Sequence, residues 1–247
     1  MATENRKPKS EIRTLLAVLF AMTFPTLATW SYFMALAGQE GKPNVWQQAA
    51  YISGKIVQFA FPLVFLAVVE RRWPRLSRPR FEGLALGLGF GLLVVLFMLG
   101  IYFGVLRGSG LLQQTPVRLE HKLREFNLAT PARYAVLAAF IVAAHSLLEE
   151  YYWRWFVFGQ LRRLTAPTPA IVLSSLAFMA HHVVVLYVYL PEYFWTAVVP
   201  FSLAIAAGGA VWAWLYERSN SIYSPWLSHL LIDAGIFAIG WDLLWPA

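Results

Sequence analysis

The stretch FEGLALGLGFGLLVVLFMLGIYFGVL, at Phe81–Leu106, decides the class of fold. It is almost entirely apolar, and Glu82 is its one charged side chain. A helix needs about 20 mostly apolar residues to cross the hydrocarbon core of a bilayer. The apolar side chains also lack the alternation expected of a strand in a membrane barrel. The stretch therefore predicts a transmembrane helix, and the spacing of Gly83, Gly87 and Gly91 predicts a face on which another helix packs closely.

Six further stretches of the chain are long and apolar enough to be spans. They are Ile12–Gly38, Trp46–Val69, Ala132–Leu164, Pro169–Leu190, Tyr193–Tyr216 and Ile222–Trp245. The sequence thus predicts an all-α polytopic membrane protein with about seven transmembrane helices. We expect one membrane domain over residues 1–247. It would comprise a tail at 1–11, three helices within 12–106, a connecting segment at 107–131 and the remaining helices within 132–247.

The composition of the whole chain agrees with this class. Apolar residues make up 59% of the 247 residues and charged residues 13%, whereas soluble domains have about 45–50% and 25%. A soluble domain of this size could not bury so much apolar surface. Cysteine is absent, which excludes disulfides and a cysteine nucleophile. The net charge is +7, but no basic stripe with interleaved aromatics indicates nucleic-acid binding.

One segment, Leu111–Thr130, differs from the spans. Its sequence LLQQTPVRLEHKLREFNLAT mixes apolar and charged side chains. We predict an amphipathic helix that lies at the membrane interface, with an ordinary soluble loop helix as the alternative.

Basic residues are concentrated in alternate loops, which predicts the direction of insertion. They are Arg6, Lys7, Lys9, Arg13, then Arg71, Arg72, Arg75, Arg78, Arg80, then Arg162, Arg163, and Arg218. We therefore expect a cytoplasmic N-terminus. The amphipathic segment is an exception, because it places basic residues on the outer side.

Ionisable residues within the spans cluster in three late helices. They are His145, Glu149, Glu150 and Arg154, then His181 and His182, then His229 and Asp233. Such residues are costly in a membrane and therefore need a partner or a function. Glu149, His182 and His229 each lie within about one turn of the middle of their helix. This common depth predicts a single buried site, and three separate interhelical hydrogen bonds are the alternative.

Helical spacing separates some of the roles. Glu150 and Arg154 have the i,i+4 spacing of an ion pair, which leaves Glu149 free to meet other helices. His229 and Asp233 share a face, so Asp233 could fix the tautomer of the imidazole or both could coordinate a metal.

The other histidines are harder to assign. His145 shares a face with Glu149 and is either part of the site or structural. His181 and His182 point about 100° apart, so we expect one of them to face the centre.

A free glutamate beside histidines suits the activation of water for hydrolysis. The chain contains no GxSxG or HExxH motif, which argues against serine hydrolases and standard zincins. We favour a site without a cofactor. Zinc is the open alternative, with Glu149, His182, His229 and Asp233 as its ligands. A proton or small-solute transporter that uses the same residues as a relay is a further alternative.

Three short motifs resemble a known family. Glu149–Arg154 reads EExxxR, Phe178–His182 reads FxxxH, and His229–Asp233 reads HxxxD, a variant of HxxxN. In this order they resemble the CPBP family of intramembrane proteases, which includes the type II CAAX prenyl endopeptidases and the bacterial Abi proteins. The resemblance extends over about Ala132–Trp245.

The resemblance implies a role for each motif residue. Glu149 would be the catalytic base, His182 and His229 the histidines of the site, and Asp233 would replace the usual Asn that holds the oxyanion. Glu150 and Arg154 would support the base, and His145 and His181 lie beside it. Ionised Asp accepts but does not donate hydrogen bonds, so the oxyanion role would require a protonated Asp233.

The implied activity is that of an intramembrane endopeptidase. Its substrate would be a membrane protein or a lipidated or hydrophobic peptide, cleaved near its C-terminal or transmembrane part. The expected location is the bacterial inner membrane, with the bilayer as partner and the oligomeric state left open. A non-catalytic bacteriocin-immunity or binding protein on the same fold is the alternative.

Overall fold

The structure is a computed structural model that describes residues 8–38, 42, 44–72 and 81–246. Within these residues the secondary structure is helical, and seven helices are long and apolar enough to cross a membrane. These spans and one shorter helix, α4, are α1 (Glu11–Ala35), α2 (Val45–Glu70), α3 (Gly83–Leu106), α4 (Thr115–Glu125), α5 (Pro131–Leu164), α6 (Pro167–Tyr189), α7 (Pro191–Ser219) and α8 (Tyr223–Leu244). The predicted all-α polytopic membrane fold is confirmed, and the predicted ends of the spans differ from these by at most three residues.

Local sequence explains where several helices begin and end. Asn44 caps α2, because its side chain accepts hydrogen bonds from the backbone nitrogens of Trp46 and Gln47 at 3.1 and 3.2 Å. Pro131 occupies the first position of α5, where its missing N–H costs nothing. Asn220 ends α7 in the left-handed conformation, with φ of 49°.

Several spans contain π-helical segments, in which the helix is wider than an α-helix. They are Ser31–Ala35, Phe65–Glu70, Tyr102–Leu106, Ile141–His145, Tyr151–Phe158 and Phe194–Val198. Two of them flank the short α-helical piece Ser146–Glu150 in α5. Such segments occur often at functional sites because they change the direction of neighbouring side chains.

Close packing of α3 against the start of α8 uses the glycines that the sequence singled out. A methyl group on Gly91 would come within 3.0 Å of the Cα atom of Ser228, and one on Gly87 would clash with the carbonyl oxygen of Ser224. A methyl group on Gly83 would lie 2.9 Å from the Cβ atom of Ser219. The three glycines therefore allow contacts within the monomer, and they hold α8 in place beside the site.

The amphipathic segment forms α4, which is shorter than the predicted range. Its charged side chains bind neighbouring elements: Arg118 donates to the carbonyl of Tyr189 at 2.9 Å and pairs with Glu192. The side chain of Gln48 donates to the carbonyl of Glu125 at 2.6 Å. These contacts tie α4 to the ends of α2, α6 and α7.

The position of α4 relative to a bilayer stays a prediction, as does the direction of insertion. Of the basic residues behind that second prediction, Arg6, Lys7, Arg75, Arg78 and Arg80 lie outside the described residues.

Candidate active site

Three helices bring a carboxylate and two imidazoles together inside the bundle. Nε2 of His181 on α6 lies 3.8 Å from Oε1 of Glu149 on α5. Nε2 of His229 on α8 lies 3.7 Å from Oε2 of the same carboxylate. All three residues are buried, with at most 6% of their surface exposed. The three helices whose polar residues were predicted to lie at one depth in the membrane thus meet around Glu149.

Glu150 has two charged or polar partners in the structure. The expected pair with Arg154 is present, with Nε of Arg154 3.2 Å from Oε2 of Glu150. The other carboxylate oxygen, Oε1, accepts a hydrogen bond from Nδ1 of His229 at 2.7 Å. Glu150 and Arg154 are both fully buried. Glu150 therefore links the buried cation to the ring of the site histidine.

The hydrogen bond to Glu150 fixes the orientation of the His229 ring. Because Nδ1 carries the proton of that bond, Nε2 points to Glu149 and to Asp233, whose Oδ2 lies 3.6 Å away. Fixing this ring was one of the two roles that the sequence left open for Asp233. In the structure Glu150 accepts the short hydrogen bond from Nδ1 that fixes the ring, and Asp233 lies near Nε2.

An aromatic cage surrounds the polar groups. The guanidinium carbon of Arg154 lies 4.6 Å from the ring centre of Phe178 and 4.9 Å from that of Trp212. Trp212 also stacks on His229, with ring centres 4.2 Å apart, and donates from Nε1 to Oγ of Ser228 at 2.9 Å. Cation–π contacts of this kind stabilise a desolvated cation. The sequence did not single out Trp212, because an aromatic residue in an apolar helix carries no spacing signal.

The two adjacent histidines of α6 have different surroundings. His181 is buried and stacks on Trp153, with ring centres 5.7 Å apart and the planes 4° from parallel. His182 is half-buried, and its Nδ1 donates to the carbonyl of Phe178 at 2.9 Å. Of these two histidines, His181 is the one that lies within 4 Å of Glu149. The ring of His182 is anchored through Nδ1, so its Nε2 accepts a hydrogen bond in the neutral ring and donates one only as an imidazolium. The assignment of His182 as the histidine that acts on substrate stays a prediction.

His145 lies at the edge of the site. Its ring packs edge-on against Phe59 of α2, with centres 5.8 Å apart, and it interacts electrostatically with Glu149. Whether it acts in the reaction or packs α5 against α2 stays open.

A resident zinc would need three or four His, Asp or Glu side chains that converge on one point. Among the described residues, no group of three or more His, Asp and Glu side chains is placed to hold a metal ion. Nδ1 of His229 is bonded to Glu150 and Nδ1 of His182 to a backbone carbonyl, which leaves Nε2 as the available nitrogen of each ring. The residues as placed do not form such a group, and a site without a cofactor stays a prediction.

Part of the chain that contains the site is similar to a known protein family. Residues 131–235 match the family model described as Rce1-like, type II CAAX prenyl endopeptidase. No curated protein and no solved structure gives a significant match to the chain. The matched range contains the eight clustered residues that the sequence singled out as candidates for the site. The site thus lies in the part of an integral membrane fold, residues 131–235, that is similar to the Rce1-like type II CAAX prenyl endopeptidases, a family of proteases.

Proposed function

We propose that the protein is an intramembrane endopeptidase that hydrolyses a peptide bond near the C-terminal or transmembrane part of a membrane-associated substrate. The observation that carries the proposal is the buried Glu149 carboxylate, which lies within 3.8 Å of histidines from two other helices in the part of the chain that is similar to a protease family. The substrate would be a membrane protein or a lipidated or hydrophobic peptide in the same bilayer. For the location we propose the bacterial inner membrane with a cytoplasmic N-terminus.

In the proposed reaction Glu149 acts as the general base. Its carboxylate accepts a proton from water while the water oxygen attacks the carbonyl carbon of the scissile bond. The tetrahedral intermediate carries a negative oxygen, to which His182 donates from Nε2 as an imidazolium, since its Nδ1 already donates to the carbonyl of Phe178. When the C–N bond breaks, the protonated Glu149 returns the proton to the leaving amine. Water is thereby divided between the new carboxylate and the new amine.

The neighbouring residues have distinct roles in this proposal. Glu150 holds Nδ1 of His229, so that Nε2 stays directed at the reacting atoms. Arg154 compensates the charge of Glu150, and the rings of Phe178 and Trp212 shield both from lipid. His182 binds the oxyanion from the half-buried side of the cluster, whereas His181 positions Glu149.

Alanine variants of His181 and His182 should separate these two roles. We expect His182→Ala to lower kcat by about 10²–10³-fold, the usual cost of one oxyanion donor, with an unchanged melting temperature. His181→Ala should lower the melting temperature, because it removes the buried ring between Trp153 and Glu149. Steady-state kinetics and thermal unfolding in detergent measure both effects. A larger loss of kcat in His181→Ala than in His182→Ala would reverse the assignment.

Metal dependence gives a second prediction. Because the donors as placed do not form a metal site, we expect the purified enzyme to keep its activity during prolonged treatment with a zinc chelator. Elemental analysis of the same active sample should find zinc well below one ion per chain. Near-stoichiometric zinc that is removed together with activity, and restored with it, would contradict the metal-free mechanism.

The proposed activity itself is tested by reconstitution. The purified protein in lipid vesicles is incubated in ¹⁸O-labelled water with a prenylated C-terminal peptide and, separately, with a transmembrane-helix substrate. Mass spectrometry should find a cleaved peptide with one ¹⁸O atom in its new carboxylate, since the mechanism adds water in a single step. Absence of cleavage of every such substrate, with binding retained, would favour the binding-protein alternative.

A further inference from the structure

Lys55 is an ionisable residue in the middle of a span outside the family domain. It belongs to α2, whereas the family match begins at residue 131. The middle of Val45–Glu70 falls between Val57 and Gln58, so Lys55 lies less than one helical turn from it. A cation at this depth in a membrane protein faces the bundle or a cavity and has a functional role as a rule.

The contacts of the Lys55 ammonium are with neutral groups of its own helix. Nζ lies 5.5 Å from the ring centre of Phe59 and 5.9 Å from that of Tyr51. It donates to Oε1 of Gln58 over a long 3.4 Å. Among the described residues, no carboxylate lies within ion-pair distance of Nζ. The charge is therefore not compensated by a direct ion pair.

The face of α2 that carries Lys55 packs against α5 beside Glu149. The ring of Phe59 contacts the rings of His145 and Tyr152, with centres 5.8 and 6.3 Å apart. The hydroxyl of Tyr151 donates to the carbonyl of Phe59 at 3.3 Å. Lys55 also interacts electrostatically with Glu149, without touching it. The ammonium group thus lies along one wall of the candidate site.

The charges around the site indicate that the Lys55 ammonium can bind an anionic ligand. Arg154 is paired with Glu150 through Nε and lies over the rings of Phe178 and Trp212, so its charge is already compensated. Lys55 has a long flexible stem and a compact charge that can move to meet a ligand. A peptide with a free C-terminus supplies a carboxylate as such a ligand, and binding it would neutralise both charges in a medium of low dielectric constant.

We propose that Lys55 binds the C-terminal carboxylate of the substrate and so directs cleavage to a bond a few residues from a free C-terminus. This inference rests on the proposed protease function. It assigns substrate selection to a helix outside the 131–235 domain, while the groups that act on the scissile bond lie within it.

The experiment compares two peptides that differ only at the C-terminus, one with a free acid and one with a carboxamide. We expect the wild-type protein to cleave the acid with a kcat/KM at least tenfold higher. Lys55→Met should reduce kcat/KM for the acid by tenfold or more and leave that for the amide within twofold. Lys55→Arg should retain the preference for the acid. Ile56→Ala, which alters an exposed neighbour on the same helix, is the matched control and should behave as wild type.

A measurement on the wild-type protein alone tests the inference even if Lys55→Met does not fold. The short peptide released from the C-terminus, added as a free acid, should inhibit the wild-type protein more strongly than the same peptide as an amide. Equal cleavage of the two substrates by the wild type, or equal losses on both in a folded Lys55→Met, would overturn the inference while leaving the protease function intact. Failure of the wild type to cleave any peptide would instead overturn the proposed function, and this inference with it.

Discussion

Replacing Glu149 with Gln should abolish peptide hydrolysis while leaving the protein folded. The amide has the shape of the carboxylate but cannot accept the proton of the attacking water, so we expect kcat to fall by about 10²–10⁴-fold or more. Stability should be unchanged or slightly higher. The partners of Glu149 are 3.7 and 3.8 Å away, beyond hydrogen-bonding distance, so the substitution removes a poorly compensated buried charge.

Cleavage of a prenylated peptide in vesicles and thermal unfolding in detergent measure the two halves of this prediction. Glu217→Gln is the matched control, because it makes the same chemical change in an exposed ion pair with Arg162. It should leave both quantities as in the wild type. Activity of Glu149→Gln within tenfold of the wild type would rule out Glu149 as the general base. A relay transporter would instead show proton flux across vesicles that depends on Glu149 without any cleavage.

Replacing Glu150 with Ala should have the opposite balance of effects, with a large loss of stability. The substitution leaves the buried guanidinium of Arg154 without its ion-pair partner and Nδ1 of His229 without its acceptor. Breaking a buried pair by removing one partner costs about 3–5 kcal/mol. We therefore expect a loss of this size in the free energy of unfolding, measured by denaturant unfolding in mixed micelles. Activity should fall as well, because His229 loses the bond that orients it.

The double variant Glu150→Leu with Arg154→Met separates stability from activity. It removes both charges together, and replacing a buried pair by apolar residues is often neutral or stabilising. We expect most of the lost stability to return while activity stays low, since the ring of His229 remains unanchored. If Glu150→Ala were as stable as Glu149→Ala, the distinction between a structural and a catalytic glutamate would be wrong.

Much of the fold was predictable because it depends on length and apolarity alone. Phe81–Leu106 and the six other runs were recognisable as spans, since few other structures accommodate so many consecutive apolar residues. The Glu150–Arg154 pair follows from the period of the helix. The convergence on Glu149 was expected from the common depth of the polar residues, and the structure places groups from α5, α6 and α8 there.

Other features depend on how each helix is rotated against its neighbours, which the period of one helix does not give. The bond between Glu150 and His229 joins residues 79 positions apart. The choice between His181 and His182 likewise depends on the rotation of α6. The π-helical segment Tyr151–Phe158 leaves no compositional signal, yet it carries Arg154, which pairs with Glu150, and Trp153, which stacks on His181. The segment Leu111–Thr130 was correctly expected to contain a helix, but its limits depend on contacts with α2, α6 and α7.

The central claim is that Glu149 activates water to cut a peptide bond in membrane-associated substrates. The most direct test is a mass-spectrometric comparison of protein termini in membranes of cells that contain the wild-type protein, Glu149→Gln at equal abundance, or no protein. The account predicts a set of new C-termini, and the matching released fragments, that appear with the wild-type protein alone. Termini that are identical in all three membranes, or that persist with Glu149→Gln, would contradict it.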